Sequence, residues 1–288
     1  MNKYFRKVPK EKLEQFMRFR QEHSLKQAEI DGVGWEYLTA GDPTARPVLI
    51  LPGALSTAES AWRMIILLEE EKFHLICPSY PAQIDTMGAL ADGVAGILSR
   101  EGMETAYVVG GAYGSMLAQV FTHRHPVLVT KLVLTHAYPP VGKRAKGVST
   151  TLRLFRVAPM VLVRRILRLQ MTGTLPPNPS PELLIIAGQI QETLNNKLTR
   201  QGALNIFLRM ADFDQQAFLP ADLAGWQGKT LLIFEEADPT TPEALRNELK
   251  ENYPGAEVHM VSSNSRAKAI LESGEYIQVL KEFLAQAD

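Results

Sequence analysis

Between residues 47 and 135 the apolar positions alternate between two patterns. Short continuous apolar runs occur at 47–51, 73–77, 107–111 and 131–135. They read as strands buried on both faces. Between them, residues 62–70, 87–99 and 113–123 space their apolar side chains as helices do. Such strands alternating with amphipathic helices predict a parallel sheet covered on both faces. Upstream, 9–22 places Leu13, Phe16, Met17 and Phe19 on one side of a predicted helix that packs on the body of the fold or on a partner. Asp31-Gly32 joins 27–30 and 35–39 as a hairpin.

The alternation stops after residue 136. Residues 137–218 carry long helical patterns and no convincing strand, with a loop at Pro176-Pro177-Asn178-Pro179-Ser180-Pro181. The sheet pattern resumes at 230–234, followed by a helix at 245–251, a strand at 257–261 and a closing helix at 276–286. The expected organisation is one α/β core, residues 1–136 and 219–288, interrupted by a helical insertion, 137–218.

Composition narrows this picture without changing it. The chain has 288 residues, 45% hydrophobic and 22% charged, an ordinary globular balance. Lys plus Arg equals Asp plus Glu at 31 each, so no global field favours nucleic acid, and none is expected as a partner. Cys77 is the only cysteine, which excludes an intrachain disulfide, and its place in an apolar run reads as core. No secretory leader pattern and no apolar run near the ~20 residues needed to cross a bilayer is visible. A cytoplasmic protein is the expectation.

The stretch with the most chemical content is Tyr107-Val108-Val109-Gly110-Gly111-Ala112-Tyr113-Gly114-Ser115-Met116-Leu117-Ala118. It reads as a buried strand, a very tight turn permitted by glycines, and a helix. Its place follows Leu51-Pro52-Gly53-Ala54 and precedes Glu235-Glu236-Ala237-Asp238-Pro239 at the end of a later strand. This order of motifs spans nearly the whole chain and resembles the α/β-hydrolase superfamily, whose nucleophile elbow reads Gly-x-Ser-x-Gly. Ser79-Tyr80-Pro81, Asp92-Gly93 and Tyr253-Pro254-Gly255-Ala256 look most like maspardin and its bacterial relatives. The resemblance implies an α/β-hydrolase fold with 137–218 as its cap.

Carried over residue by residue, the resemblance puts the nucleophile at Ala112, the acid at Asp238 and the base at Arg266. Alanine has no attacking atom, and arginine, with a pKa above ~12, accepts no proton near neutrality. An inactivating Ser→Ala change would account for Ala112 but not for Arg266. The expectation is a non-catalytic member that binds a small apolar or carbonyl-bearing ligand, or a protein partner. The alternatives are a serine hydrolase inactivated at the nucleophile and an enzyme using the pocket for non-hydrolytic chemistry.

The backbone amides of Ala54 and Tyr113, with Gly53, match the oxyanion hole. Ser115 and His136 are candidate ligand contacts near it, His136 because it ends a strand at the carboxyl edge of the sheet. Asp238 equally suits a turn cap before Pro239-Thr240-Thr241-Pro242. No metal cluster is expected. Gly110-Gly111-x-x-Gly114 lacks the dinucleotide fingerprint's spacing and acidic residue, so no cofactor is expected either. In the cap, Arg153, Arg156, Arg164, Arg165 and Arg168 interleave with apolar residues. Such a basic amphipathic segment could dock to a protein or an anionic membrane, or simply pack one face over the pocket with its arginines solvated.

Overall fold

The computed structural model describes residues 2–172, 175, 177–236, 238, 241–261 and 274–287. Its sheet has eight strands in the order β1-β2-β4-β3-β5-β6-β7-β8. These are β1 (Lys26–Ile30), β2 (Val33–Ala40), β3 (Pro47–Leu51), β4 (His74–Ser79), β5 (Ala106–Gly111), β6 (Val129–Thr135), β7 (Lys229–Glu235) and β8 (Glu257–Val261). From β4 onward all neighbours are parallel, whereas β2 runs antiparallel to both β1 and β4. The hairpin turn has positive φ at both Asp31 and Gly32, 51° and 75°, matching the twist that two-residue hairpin loops favour.

Helices α1 (Lys10–Glu22), α2 (Trp62–Glu69), α3 (Met87–Arg100), α4 (Tyr113–Arg124), α9 (Glu243–Asn252) and α10 (Gly274–Ala285) belong to the core. Two apolar clusters cover the two faces of the sheet. One is built on α3 and α4 and reaches Phe155, Leu198 and Phe213 of the insertion. The other joins Phe16, Trp62, Leu280 and Phe283. Cys77 is buried in the second cluster, and burial pushes its thiol pKa up, as suits a core position. Gly93 has a packing reason: a methyl built there would lie 2.2 Å from the Trp35 ring.

Between β6 and β7 lie α5 (Gly142–Val157), α6 (Met160–Thr172), α7 (Pro181–Glu192) and α8 (Arg200–Phe213). Ser180 and Thr199 cap the last two by accepting from the amides of Leu183 and Gly202. A π-helical turn at Thr193–Lys197 follows α7. The N-terminal segment packs on the body and on this insertion together. Arg20 pairs with Glu59 at 3.0 Å and with Glu192 at 2.9 Å, and Asn2 donates to the Gly188 carbonyl. Gly188 is required there, since a methyl would meet the Phe5 ring at 2.2 Å.

Candidate functional site

Strand register brings the candidate residues to one edge. Leu51 pairs with Gly110, Gly111 with Thr135, and Thr135 with Ile233. Ala54 and Tyr113 therefore sit three residues beyond a paired position on adjacent strands. His136 follows its pair directly, and Glu235 lies two residues beyond Ile233.

The elbow backbone is intact. Ala112 has φ 50° and ψ −112°, a conformation that L-residues avoid and that costs of order 1–3 kcal/mol. The turn is fastened by the Ala112 amide donating to the Thr135 carbonyl at 3.0 Å and the Ser115 amide to the Ala112 carbonyl at 3.0 Å. Two glycines are sterically required. A methyl on Gly114 would lie 2.0 Å from the Leu51 carbonyl oxygen, and one on Gly110 would lie 2.5 Å from the Gly114 carbonyl oxygen. Gly53 is different, since a methyl there would meet only the end of the Ser56 side chain, at 3.2 Å.

Ser115 is fully buried and its hydroxyl donates to the Ala112 carbonyl at 2.6 Å. It holds the turn rather than facing a ligand. His136 also has a left-handed backbone, φ 49°. Its Nε2 is 3.3 Å from Glu235 Oε2, and its Nδ1 is 3.1 Å from Thr135 Oγ1. With Glu235 as the acceptor, Nε2 carries the proton and Nδ1 accepts from threonine. Both ring nitrogens are thus engaged inside the protein, and neither partner comes from the insertion. Asp238 is buried beyond β7, where its Oδ2 accepts from Thr241 Oγ1 at 2.8 Å and its carbonyl from the Thr241 amide at 3.4 Å. That is the turn-capping geometry. Arg266 and the Ser263-Asn264-Ser265-Arg266 turn lie outside the described residues.

A cavity of about 300 Å³ opens between the core and the insertion; of the sequence-predicted site residues Ala54 lines it, whereas Gly53, Ala112, Tyr113, Ser115 and His136 do not. Ala54, Ser56 and Tyr80 line it from the core; Thr193, Lys197 and Arg209 line it from the other side. The Tyr80 hydroxyl donates to the Pro52 carbonyl at 2.9 Å, and its ring lies 5.8 Å from that of Tyr113. Burial pushes the Tyr113 phenol pKa up, while the neighbouring Arg209 guanidinium pulls it down. Among the described residues, no group of three or more His, Cys, Asp or Glu could hold a metal ion.

Glu235, Tyr80 and Arg209 were absent from the sequence-based candidates. Arg209 alone left a sequence signal. It lies in the stripe Gly202, Ile206, Arg209, Phe213 of α8, all buried, where helical spacing calls for apolar side chains.

The cap arginines divide into two sets. Arg164 donates to the Leu198 carbonyl and Arg168 to Asn195 Oδ1, and both are half-buried. Arg153, Arg156 and Arg165 are exposed. Around them, Val157 is 82% exposed, Val161 77% and Leu169 62%.

No family model matches the chain. It is 25% identical over 264 residues to "Putative carbamate hydrolase RutD" of Serratia proteamaculans, covering 87% of this chain and 95% of the relative. Among solved structures, a hydrolase from Pseudomonas aeruginosa PA01 superposes with a TM-score of 0.75 at 16% identity, over 91% of this chain and 99% of the other. A carboxylesterase structure from Nitrososphaera gargenis gives 0.71 at 15% identity, over 91% and 98%. The enol-lactonase of Burkholderia xenovorans LB400 gives 0.70 at 14%, over 91% and 100%. At these identities the structural likeness is one of fold, and the fold is that of the α/β hydrolases.

Proposed function

We propose that the chain is a binding member of the α/β-hydrolase fold that holds a small apolar or carbonyl-bearing ligand without hydrolysing it. On its short turn motifs, we place it beside maspardin and its bacterial relatives. The observation that carries the reading is Ala112, an alanine held in the strained geometry that presents a nucleophile. The hydroxyl nearest in sequence, on Ser115, is committed to the backbone, and the His136 ring is engaged on both sides. Neither supplies an attacking group with a base beside it.

The test is turnover of p-nitrophenyl esters and of a carbamate ester, together with labelling by a fluorophosphonate. The carbamate is included because a relative carries that name. The expected result is no turnover above an Asp238→Asn control and no labelling. Robust turnover would favour a working hydrolase or another reaction in the pocket.

A second reading is favoured by the exposed face of α5 and α6. No Asp or Glu occurs from Thr105 through Pro181, and Arg153, Arg156 and Arg165 flank exposed Val157, Val161 and Leu169. An anionic bilayer surface complements such a face: the arginines meet head groups and the apolar side chains enter the interface. Sedimentation with phosphatidylserine-containing vesicles at low salt should show binding that weakens steeply as salt rises. Changing the three arginines to glutamine should weaken it about a hundredfold, at roughly 1 kcal/mol for each cation. Binding indifferent to salt and to those changes would overturn this reading.

A further inference from the structure

The cavity between the core and the insertion is fastened differently on its two sides. On one side α8 is held through neutral acceptors. Asn205 Nδ2 donates to the Ala82 carbonyl at 2.8 Å, Arg209 Nε to the Ile84 carbonyl at 2.8 Å, and Arg209 Nη2 to the Pro81 carbonyl. Asn205 and Arg209 are buried, so solvent does not compete for these bonds. On the other side, the π-helical turn Thr193–Lys197 is held by ion pairs that solvent reaches. Lys197 pairs with Glu36 at 2.9 Å, and 52% of the lysine side chain is exposed. Glu192, the last residue of α7, leads directly into the turn and pairs with Arg20 at 2.9 Å. Partly exposed ion pairs are weak ties. The turn, which brings Thr193 and Lys197 to the cavity, is thus its more weakly held wall.

Arg20 also has a second partner. One nitrogen, Nη2, lies 2.9 Å from Glu192 Oε2 and 3.0 Å from Glu59 Oε2. Among the described residues neither carboxylate makes another hydrogen bond or ion pair. Two like charges therefore stand within one nitrogen's reach of each other, and the guanidinium offsets their repulsion. Each acid is joined to a cavity wall. Glu59 sits in the short 3₁₀ turn Ala58–Ala61, whose capping residue Thr57 lines the cavity. Glu192 adjoins Thr193 on the opposite wall. Arg20 is fixed to the core, because Phe16 and Phe19 of α1 are buried against Trp62 and its guanidinium lies 4.5 Å over the Phe16 ring. One helical turn before Glu192, α7 is pinned by Asn2 donating to the Gly188 carbonyl. That leaves the stretch after Glu192 as the part free to move.

We propose that Arg20 is the latch of this cavity: shared between Glu59 and Glu192, it holds the 193–197 turn against the core, and its withdrawal lets the two carboxylates drive the cavity open. The use of that opening for ligand entry rests on reading the cavity as the ligand site; the latch itself does not.

Hydrogen–deuterium exchange of the full-length protein, read by mass spectrometry, tests the latch. Arg20→Gln should speed exchange across 193–199 roughly tenfold and leave α8 and β5 unchanged, because the opening is local. The Leu198 amide, which donates to the Thr193 carbonyl at 2.8 Å, belongs to that stretch. Adding Glu192→Gln to Arg20→Gln removes the repulsion and should recover most of the protection. That rescue separates a latch from a merely structural arginine, whose loss a second change in the same cluster would deepen. Glu192→Gln alone leaves α1 untouched and should speed the same stretch, but less than Arg20→Gln does. Should Arg20→Gln fail to fold, Glu192→Gln still decides. Unchanged exchange at 193–199, exchange that rises equally throughout the protein, or a double variant no better protected than Arg20→Gln would overturn the proposal. Stopped-flow capture of the neutral dye N-phenyl-1-naphthylamine reads entry and should be several-fold faster in Arg20→Gln. Faster exchange without faster capture would count against the cavity as the ligand site and leave the latch standing.

Discussion

Gly114→Ala is expected to cost more than about 3 kcal/mol, a large part of the ~5–15 kcal/mol by which a domain is stable. The added methyl would lie 2.0 Å from the Leu51 carbonyl oxygen and 2.8 Å from its carbon. Neither atom can rotate away, because Leu51 is locked in β3 between β4 and β5. Relief requires α4 to move off the sheet, which would open the apolar cluster holding Met116, Leu117 and Phe121. The check is chemical or thermal unfolding beside Gly147→Ala. Gly147 lies in α5 with nothing within 4 Å of an added methyl. That change should be neutral or stabilising by up to about 1 kcal/mol, since alanine favours a helix over glycine. A Gly114→Ala protein with unchanged midpoint and slope would mean that the helix does not approach β3 so closely.

The contrast between those two glycines shows what the sequence makes legible. The spacing of Gly110, Gly111 and Gly114 encodes a backbone crossing, and crossings of this kind leave residue-level signatures. The parallel strands were equally readable, because burial on both faces leaves continuous apolar runs. What failed to show was orientation. Arg164, Arg165 and Arg168 look alike in the sequence, yet helical pitch turns Arg164 and Arg168 toward Leu198 and Asn195 and leaves Arg165 outside with Val161 and Leu169.

Long-range pairing was hidden as well. His136 could be placed at a strand end, but its bond to Glu235 depends on the pairing of β6 with β7, 99 residues apart in sequence. Arg209 is inconspicuous in the sequence, because arginine in an amphipathic helix is ordinarily solvated. Only its position in the buried stripe of α8 argues otherwise.

Rebuilding a hydrolase at the elbow is expected to need two changes together. Ala112→Ser would place a hydroxyl on a backbone that already has the strained elbow geometry, φ 50°. Serine without a base is a weak nucleophile, so this variant alone should stay near background. The ring nitrogens of His136 are engaged by Glu235 and Thr135, so it is not set to take the proton. Arg266→His alone should also stay near background, having nothing to deprotonate. Together they should give fluorophosphonate labelling and measurable ester hydrolysis. The recovery should be partial. Asp238 Oδ2 already accepts from Thr241 Oγ1, and small misplacements of catalytic groups are expensive. Removing the nucleophile or the base from a serine protease costs on the order of a million-fold in turnover. Recovery of even a thousandth of that loss would be visible above the singles. Strong activity in Ala112→Ser alone would identify a different base, with His136 the first to replace by glutamine. A double variant that folds but takes no label would mean that the hydrolytic arrangement is gone beyond these two residues.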